Sequence, residues 1–204
     1  MSMVRALRTL TALENGTLSG AQLETQLSGS TARLGEFALL CASDGAAKRM
    51  AASAVTMTAV TASATAMAEF VKHTAARMAA WGSDNALIAI KASATAMSAC
   101  RTAGGYAVKN ATSPNPPGPL FDVATEGRAY IVLGVSASYS YVAPFTFPTI
   151  RGTSSLPSAL STNATSDSSA SDSFQATPVN GPVRATFSGT SGQSVYIGLL
   201  RCDA

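Results

Sequence analysis

A ten-residue phrase recurs through the middle of this chain and limits what it can fold into. The copies read Ala52-Ser53-Ala54-Val55-Thr56-Met57, Ala62-Ser63-Ala64-Thr65-Ala66-Met67 and Ala92-Ser93-Ala94-Thr95-Ala96-Met97. Two worn copies stand between them, with His73 and Ser83 where the serines fall. Leu87 takes the methionine place in one, and Met78 comes one residue late in the other. Three residues after each anchor stands another apolar side chain: Val60, Phe70, Trp81, Ile90 and Cys100. A fixed period of this kind signals stacked or elongated structure rather than a closed enzyme core.

From 46 to 103 the chain carries 21 alanines in 58 residues, and the first 113 residues contain no proline. Alanine is the best helix former, and proline is excluded from helix interiors. The block therefore reads as helix, yet its period does not suit one straight helix. Ten residues turn through about 1000°, so an apolar stripe with this repeat drifts by roughly 80° per copy. Three solutions stay open: a strongly overwound coil, a series of shorter helices, or a solenoid of β rungs. The alanine content argues against the last. Gly82-Ser83-Asp84-Asn85 reads as a break with a new helix start. A thin stripe on a marginal helix needs a covering partner. The expectation is an oligomeric stalk with Met57, Val60, Met67, Phe70, Met78, Trp81, Leu87, Ile90 and Met97 at its interface.

Upstream, Val4, Leu7, Leu10 and Leu13 are spaced by three and predict a helix over 3–13, ended by Asn15-Gly16. Ser19 and Gln22 fit a capping box for a second helix. Leu34, Phe37, Ala38 and Cys41 mark a third. These short helices bury little on their own and read as a docking segment over 1–45, followed by the stalk over 46–103.

All nine prolines lie at Pro114 or beyond, four of them between Pro114 and Pro119. Residues 104–119 thus read as a stiff Gly/Pro linker. Beyond it the pattern is β. Buried strands are expected over 129–135 and 194–200, and a half-exposed one on Val183, Ala185 and Phe187. Shorter ones are expected at 139–142 and 145–147, with a Ser/Thr-rich loop over 152–175. The fold class expected is α+β in separate segments, with residues 120–204 forming an antiparallel β-sandwich or jelly-roll module.

Charge and chemistry say little. The formal net charge is +3, too weak to point to nucleic acid. No run of eighteen apolar residues predicts a membrane span. Cys41, Cys100 and Cys202 have neither zinc nor disulfide spacing and read as buried thiols, with a chain-to-chain bridge at Cys202 open. His73 is the sole histidine, and no nucleophile elbow or phosphate loop accompanies it. Asp167 and Asp172 lie in a serine-rich run with nothing to desolvate them. No catalytic, cofactor or metal residue is expected. Tyr139, Tyr141 and Tyr196 are compatible with sugar stacking and equally with ordinary strand packing.

The decads, together with the segment from Leu13 to Glu24 and Ala47-Lys48-Arg49-Met50-Ala51, resemble repeats in fibre and other structural proteins of tailed-bacteriophage virions. The resemblance covers about residues 10–103 and transfers no catalytic residue. It implies a virion protein assembled in the bacterial cytoplasm, attached by its N-terminal part to tail, collar or capsid proteins. It also implies a homotrimer that projects the β module. A second reading makes that module a receptor-recognition domain for host-surface glycans, multimerised by the helices.

Overall fold

The computed structural model describes residues 2–110, 119–122, 127–137, 145–146, 170–171, 176–180, 184–186 and 194–204. It divides into two compact units: Met1–Ala103 with Asp203–Ala204, and Gly104–Cys202. The first is helical and the second antiparallel β, so the described chain is mostly helix with a smaller β part.

The helical unit holds α1 (Met3–Glu14), α2 (Gly20–Ser28), α3 (Thr31–Ala42), α4 (Asp44–Ala52), α5 (Ala54–Ala62), α6 (Ala64–Phe70), α7 (Thr74–Trp81), α8 (Asp84–Ala92) and α9 (Ala94–Ala103). The decad block is therefore a series of short helices. Its period is set by one extended residue at every tenth place. Ser43, Ser53, Ser63, His73, Ser83 and Ser93 all precede a helix start, and ψ at each lies between 113° and 123°. Four of them also end the helix before, so a single residue makes the corner. Ser53, Ser63, Ser83 and Ser93 each accept a hydrogen bond on Oγ from the backbone N–H three residues on. This N-cap satisfies a donor that the first turn of a helix leaves open. Each corner also resets the helix phase, which removes the drift that a straight helix would accumulate.

Stacking follows a rule of three. Helix α4 packs on α7, α5 on α8 and α6 on α9; α1, α2 and α3 pack on α4, α5 and α6 in the same order. Three helices thus complete one turn of a solenoid, and the nine among the described residues make three turns. Side chains lock the turns together. Ser83 Oγ donates to Ala51 O, Asn85 Nδ2 to Ala52 O at 2.7 Å and Ser93 Oγ to Thr61 O at 2.7 Å. Gly20 marks the tightest approach. A Cβ there would lie 2.6 Å from Ala62 Cβ and 2.8 Å from Ala59 O.

The core repeats with the decad. Counting from each corner residue, positions three, four and seven point inward. They are Thr56, Met57 and Val60; Ala66, Met67 and Phe70; Ala86, Leu87 and Ile90; and Ala96, Met97 and Cys100, all at 3% exposure or less. A small residue at position three lets the inner faces approach, and the larger ones fill the axis.

Two expectations change here. The docking segment over 1–45 is not separate from the stalk over 46–103. Helices α1, α2 and α3 are the first turn of the same solenoid. The stripe does not run along a stalk, because the chain turns a corner every ten residues and buries the stripe inside itself.

In the second unit, β1 (Gly105–Asn110), β8 (Ser194–Arg201), β3 (Ala129–Ala137) and β5 (Ala170–Ser171) follow one another in one sheet, and β6 (Thr177–Asn180) also pairs with β3. A three-stranded sheet orders β2 (Pro119–Asp122), β7 (Arg184–Thr186) and β4 (Phe145–Thr146). All pairings are antiparallel. The expected strands over 129–135 and 194–200 are present and pair with each other, Ile131 opposite Leu200. The first part of the expected linker is strand β1, in register with β8 from Gly105–Leu199 to Asn110–Ser194. The described residues form two sheets but do not show a sandwich or jelly roll. The strand expected at 139–142, most of the loop over 152–175 and the proline run before Pro119 lie outside the described residues.

Candidate functional site

The nine residues expected at an oligomer interface separate into two groups. Met57, Val60, Met67, Phe70, Leu87, Ile90 and Met97 lie in the chain's own core. The covering partner that the stripe requires is the solenoid itself. Met78 and Trp81 are half-buried and stand outside that core. In the fourth decad the inward places go to Ala76 and Ala80, while Arg77 occupies the place that Met, Leu or Ala fills elsewhere. Arg77 donates from Nη1 to Val71 O at 2.7 Å and from Nη2 to Thr74 Oγ1 at 3.2 Å. Its Nε is buried without a hydrogen-bond partner.

The departures of this decad gather on one surface. Asp44 and Lys48 from α4 and Met78 from α7 line a groove with His73 and Trp81. In a repeat fold the recurring residues hold the stack, and departures on an outer face are free to serve something else. This groove combines an indole and a thioether with both signs of charge, which suits a mixed polar and apolar contact.

The acids of the helical unit hold helices together. Glu24 reaches from α2 to the start of α6, where its carboxylate accepts from Ser63 Oγ at 2.7 Å, Thr65 N at 2.9 Å and Thr65 Oγ1 at 2.6 Å. The Thr65 and Ser63 hydroxyls, with the Thr65 amide, hold this carboxyl below its ordinary range. Glu14 forms a two-pronged pair with Arg49 at 2.7 and 3.1 Å, tying α1 to α4. Glu36 is nearly buried, 3.5 Å from Arg33 and 3.9 Å from Arg5.

Glu69, Lys72 and His73 form the cluster nearest to a reactive set. Glu69 accepts from Lys72 Nζ at 2.8 Å and lies 3.0 Å from His73 Nε2. Burial pushes this carboxyl up, but the bonds from Lys72 and His73 outweigh it and leave the group below its ordinary range. Cys41 lies within reach of the same charge. Its own burial first, and then Glu69, push the thiol far up, which keeps it protonated and unreactive. Burial pushes Cys100 up to about 12, against a smaller opposing effect of Arg101. Cys202 is buried as well, so all three thiols are enclosed. His73 is a corner residue, and its side chain makes no N-cap bond. Among the described residues no group of three His, Cys, Asp or Glu could hold a metal ion, and no helix is long and apolar enough to cross a membrane.

The sequence reading passed over Glu24, Glu14 and Arg77. The corner serines were visible as a repeat, and an N-cap serine three residues before an inward Ala or Thr is the signal that separates short helices from a long one. Compared with known proteins, the chain matches no family model and no curated protein.

Proposed function

We propose that this chain is a structural, non-enzymatic component of a bacteriophage virion, a fibre-like part of tail, collar or head. In this reading the helical unit attaches through its N-terminal turn, and the β unit is what it presents. The observation that carries the reading is the decad phrase itself, in the setting where the fold uses it. The serines cap helices, the Met and Leu places fill an axis, and the half-buried Glu14 and Glu24 tie turns together. A stack built this way is a stiff spacer, and it offers a mount rather than a catalytic cleft. The homotrimer belongs to the same proposal, with a changed contact surface. Seven of the nine stripe residues are spent inside the chain, so a trimer must use outward residues such as Met78 and Trp81 or the β unit.

The test is made on particles of the phage whose genome encodes the chain. Gradient-purified virions analysed by quantitative mass spectrometry should contain it at a fixed copy number, a multiple of three if it trimerises. Its presence in infected cells and absence from purified virions would contradict the proposal.

A further inference from the structure

Helix α1 is capped at its end by Asn15, and Gly16 follows with φ of +68°. Both residues are exposed. The Asn15 side-chain amide forms no hydrogen bond among the described residues. Asparagine followed by glycine is the pair in which backbone and side chain react most readily, because glycine has no Cβ to hinder the approach. The Gly16 nitrogen gives up its proton to water and attacks Asn15 Cγ. The N–Cγ bond forms, the Cγ–Nδ2 bond breaks, and ammonia leaves with a proton. Water then opens the five-membered imide. Attack at Cγ gives aspartate, and attack at the main-chain carbonyl carbon gives isoaspartate, whose backbone runs through Cβ. One water enters and one ammonia leaves.

The folded helix end withholds this reaction. The Gly16 N–H donates to Leu13 O at 3.0 Å, which holds the proton that must leave. Ring closure needs Asn15 Cβ and the Gly16 nitrogen eclipsed about the Cα–C bond, whereas ψ of −1° eclipses the two backbone nitrogens instead. Thr17 fastens the same turn, donating to Ala12 O from N at 2.9 Å and from Oγ1 at 3.1 Å. One residue back, Glu14 is held by Arg49. The reaction therefore waits for local opening, and its rate is that of the open form times the fraction open. We propose that Asn15 is a spontaneous modification site gated by the end of α1, and that its conversion undoes that end. Isoaspartate adds one carbon to the backbone beside a glycine held at positive φ, so the bonds to Leu13 O and Ala12 O cannot all form again. Either product sets a new carboxylate at a helix C-terminus, where negative charge is unfavourable. Loss of ammonia makes the change run one way. Asn85 is the internal control, since Ala86 follows it and its amide donates to Ala52 O at 2.7 Å. This inference does not depend on the virion reading.

The purified full chain is incubated in mildly alkaline buffer beside a synthetic peptide of the sequence Leu13–Leu18. Peptide mapping by mass spectrometry follows the mass gain at Asn15, and enzymatic methylation counts isoaspartate. The folded chain should convert at Asn15 about tenfold or more slowly than the peptide, a gate of about 1.4 kcal/mol or more. Asn85 should stay unchanged. Arg49→Ala releases Glu14 without altering the sequence around Asn15, and should speed conversion about two- to fivefold. Circular dichroism establishes that this variant is folded. Urea below the unfolding midpoint opens the same helix end in the unsubstituted chain and should also speed conversion. Converted chain, separated by ion exchange, should exchange its Gly16, Thr17 and Leu18 amide hydrogens faster. Four outcomes would overturn the proposal: no conversion at Asn15 in the folded chain while the peptide converts, conversion as fast as in the peptide, no acceleration by either Arg49→Ala or urea, or unchanged exchange in the converted chain.

Discussion

The helical unit and the β unit solve the same packing problem over different distances. A decad caps itself within four residues and stacks on a helix three places along, so its partners are never far in sequence. In the β unit, β8 pairs with β1 from the other end of that unit and with β3 from its middle. Local repetition lets one helix depart from the pattern without disturbing the rest, as the fourth decad does with Arg77. A sheet with a shared central strand has no such freedom. Damage to a solenoid should therefore stay near its origin, while damage to β3 should spread.

The largest effect is expected at the axis and in β3. Phe70→Ala should cost about 3–5 kcal/mol and Ile131→Ala about 2–5 kcal/mol, since both side chains are fully enclosed. Hydrogen exchange separates the two cases. Phe70→Ala should raise exchange in α6 and the helices stacked on it, and Ile131→Ala in β3, β6 and β8 together. Equal spreading from both sites would break the comparison.

Gly20→Ala comes next. Alanine is the better helix former, yet its methyl would strike Ala62 and the Ala59 carbonyl where α2 meets α5. A loss of about 1–3 kcal/mol is expected by urea unfolding, and a gain would mean that the two helices are not in close contact. Ser63→Ala removes both a cap and a donor to Glu24, and should cost about 1–2 kcal/mol.

Acid should weaken the helical unit through Glu24 and Glu69. Both carboxyls sit below the ordinary value of 4.5 when folded. Their contribution is present above that value and is lost as pH falls through the lower folded values. Glu24→Gln should lower stability at neutral pH and flatten the acid dependence, as followed by ellipticity between about pH 6 and pH 2. The smallest effect is expected at Arg77→Met. Restoring the repeat should stabilise by up to about 1 kcal/mol, because an unpartnered buried Nε is removed at the expense of two hydrogen bonds. Loss of stability there would show that the arginine itself holds the fourth decad.

Much of this architecture can be read from residues alone. The spacing of Leu7, Leu10 and Leu13 predicts α1, Ser19 with Gln22 predicts the capping box that forms, and Gly82-Ser83-Asp84 predicts the restart at α8. Strands β3 and β8 follow from their apolar runs. What escapes is the meaning of Ser53, Ser63 and Ser93. As letters in a repeat they suit a long helix with a drifting stripe, and only their place as caps turns the stripe inward. The stacking of each helix on the third one after it depends on corner angles that no local pattern encodes. Strand β1 hides in a stretch that reads as linker, and β2 starts at a proline, which is tolerated at the first place of a strand. Candidate binding residues were legible only in part. Trp81 and Met78 look like stripe members by spacing, but Arg77 occupies the inward place and leaves them outside.

The central claim is that the decads close on themselves within one chain. Ala52 and Asn85 test it most directly, since both are exposed and the Asn85 amide donates to the Ala52 carbonyl at 2.7 Å. Spin labels at Ala52→Cys and Asn85→Cys, measured by pulsed electron resonance, should report a separation under about 20 Å, whereas 33 residues of straight helix would span about 50 Å. The short distance should persist when labelled chains are diluted with unlabelled ones. A separation near 50 Å, or a short one that vanishes on dilution, would contradict the solenoid and return the stripe to an oligomeric stalk.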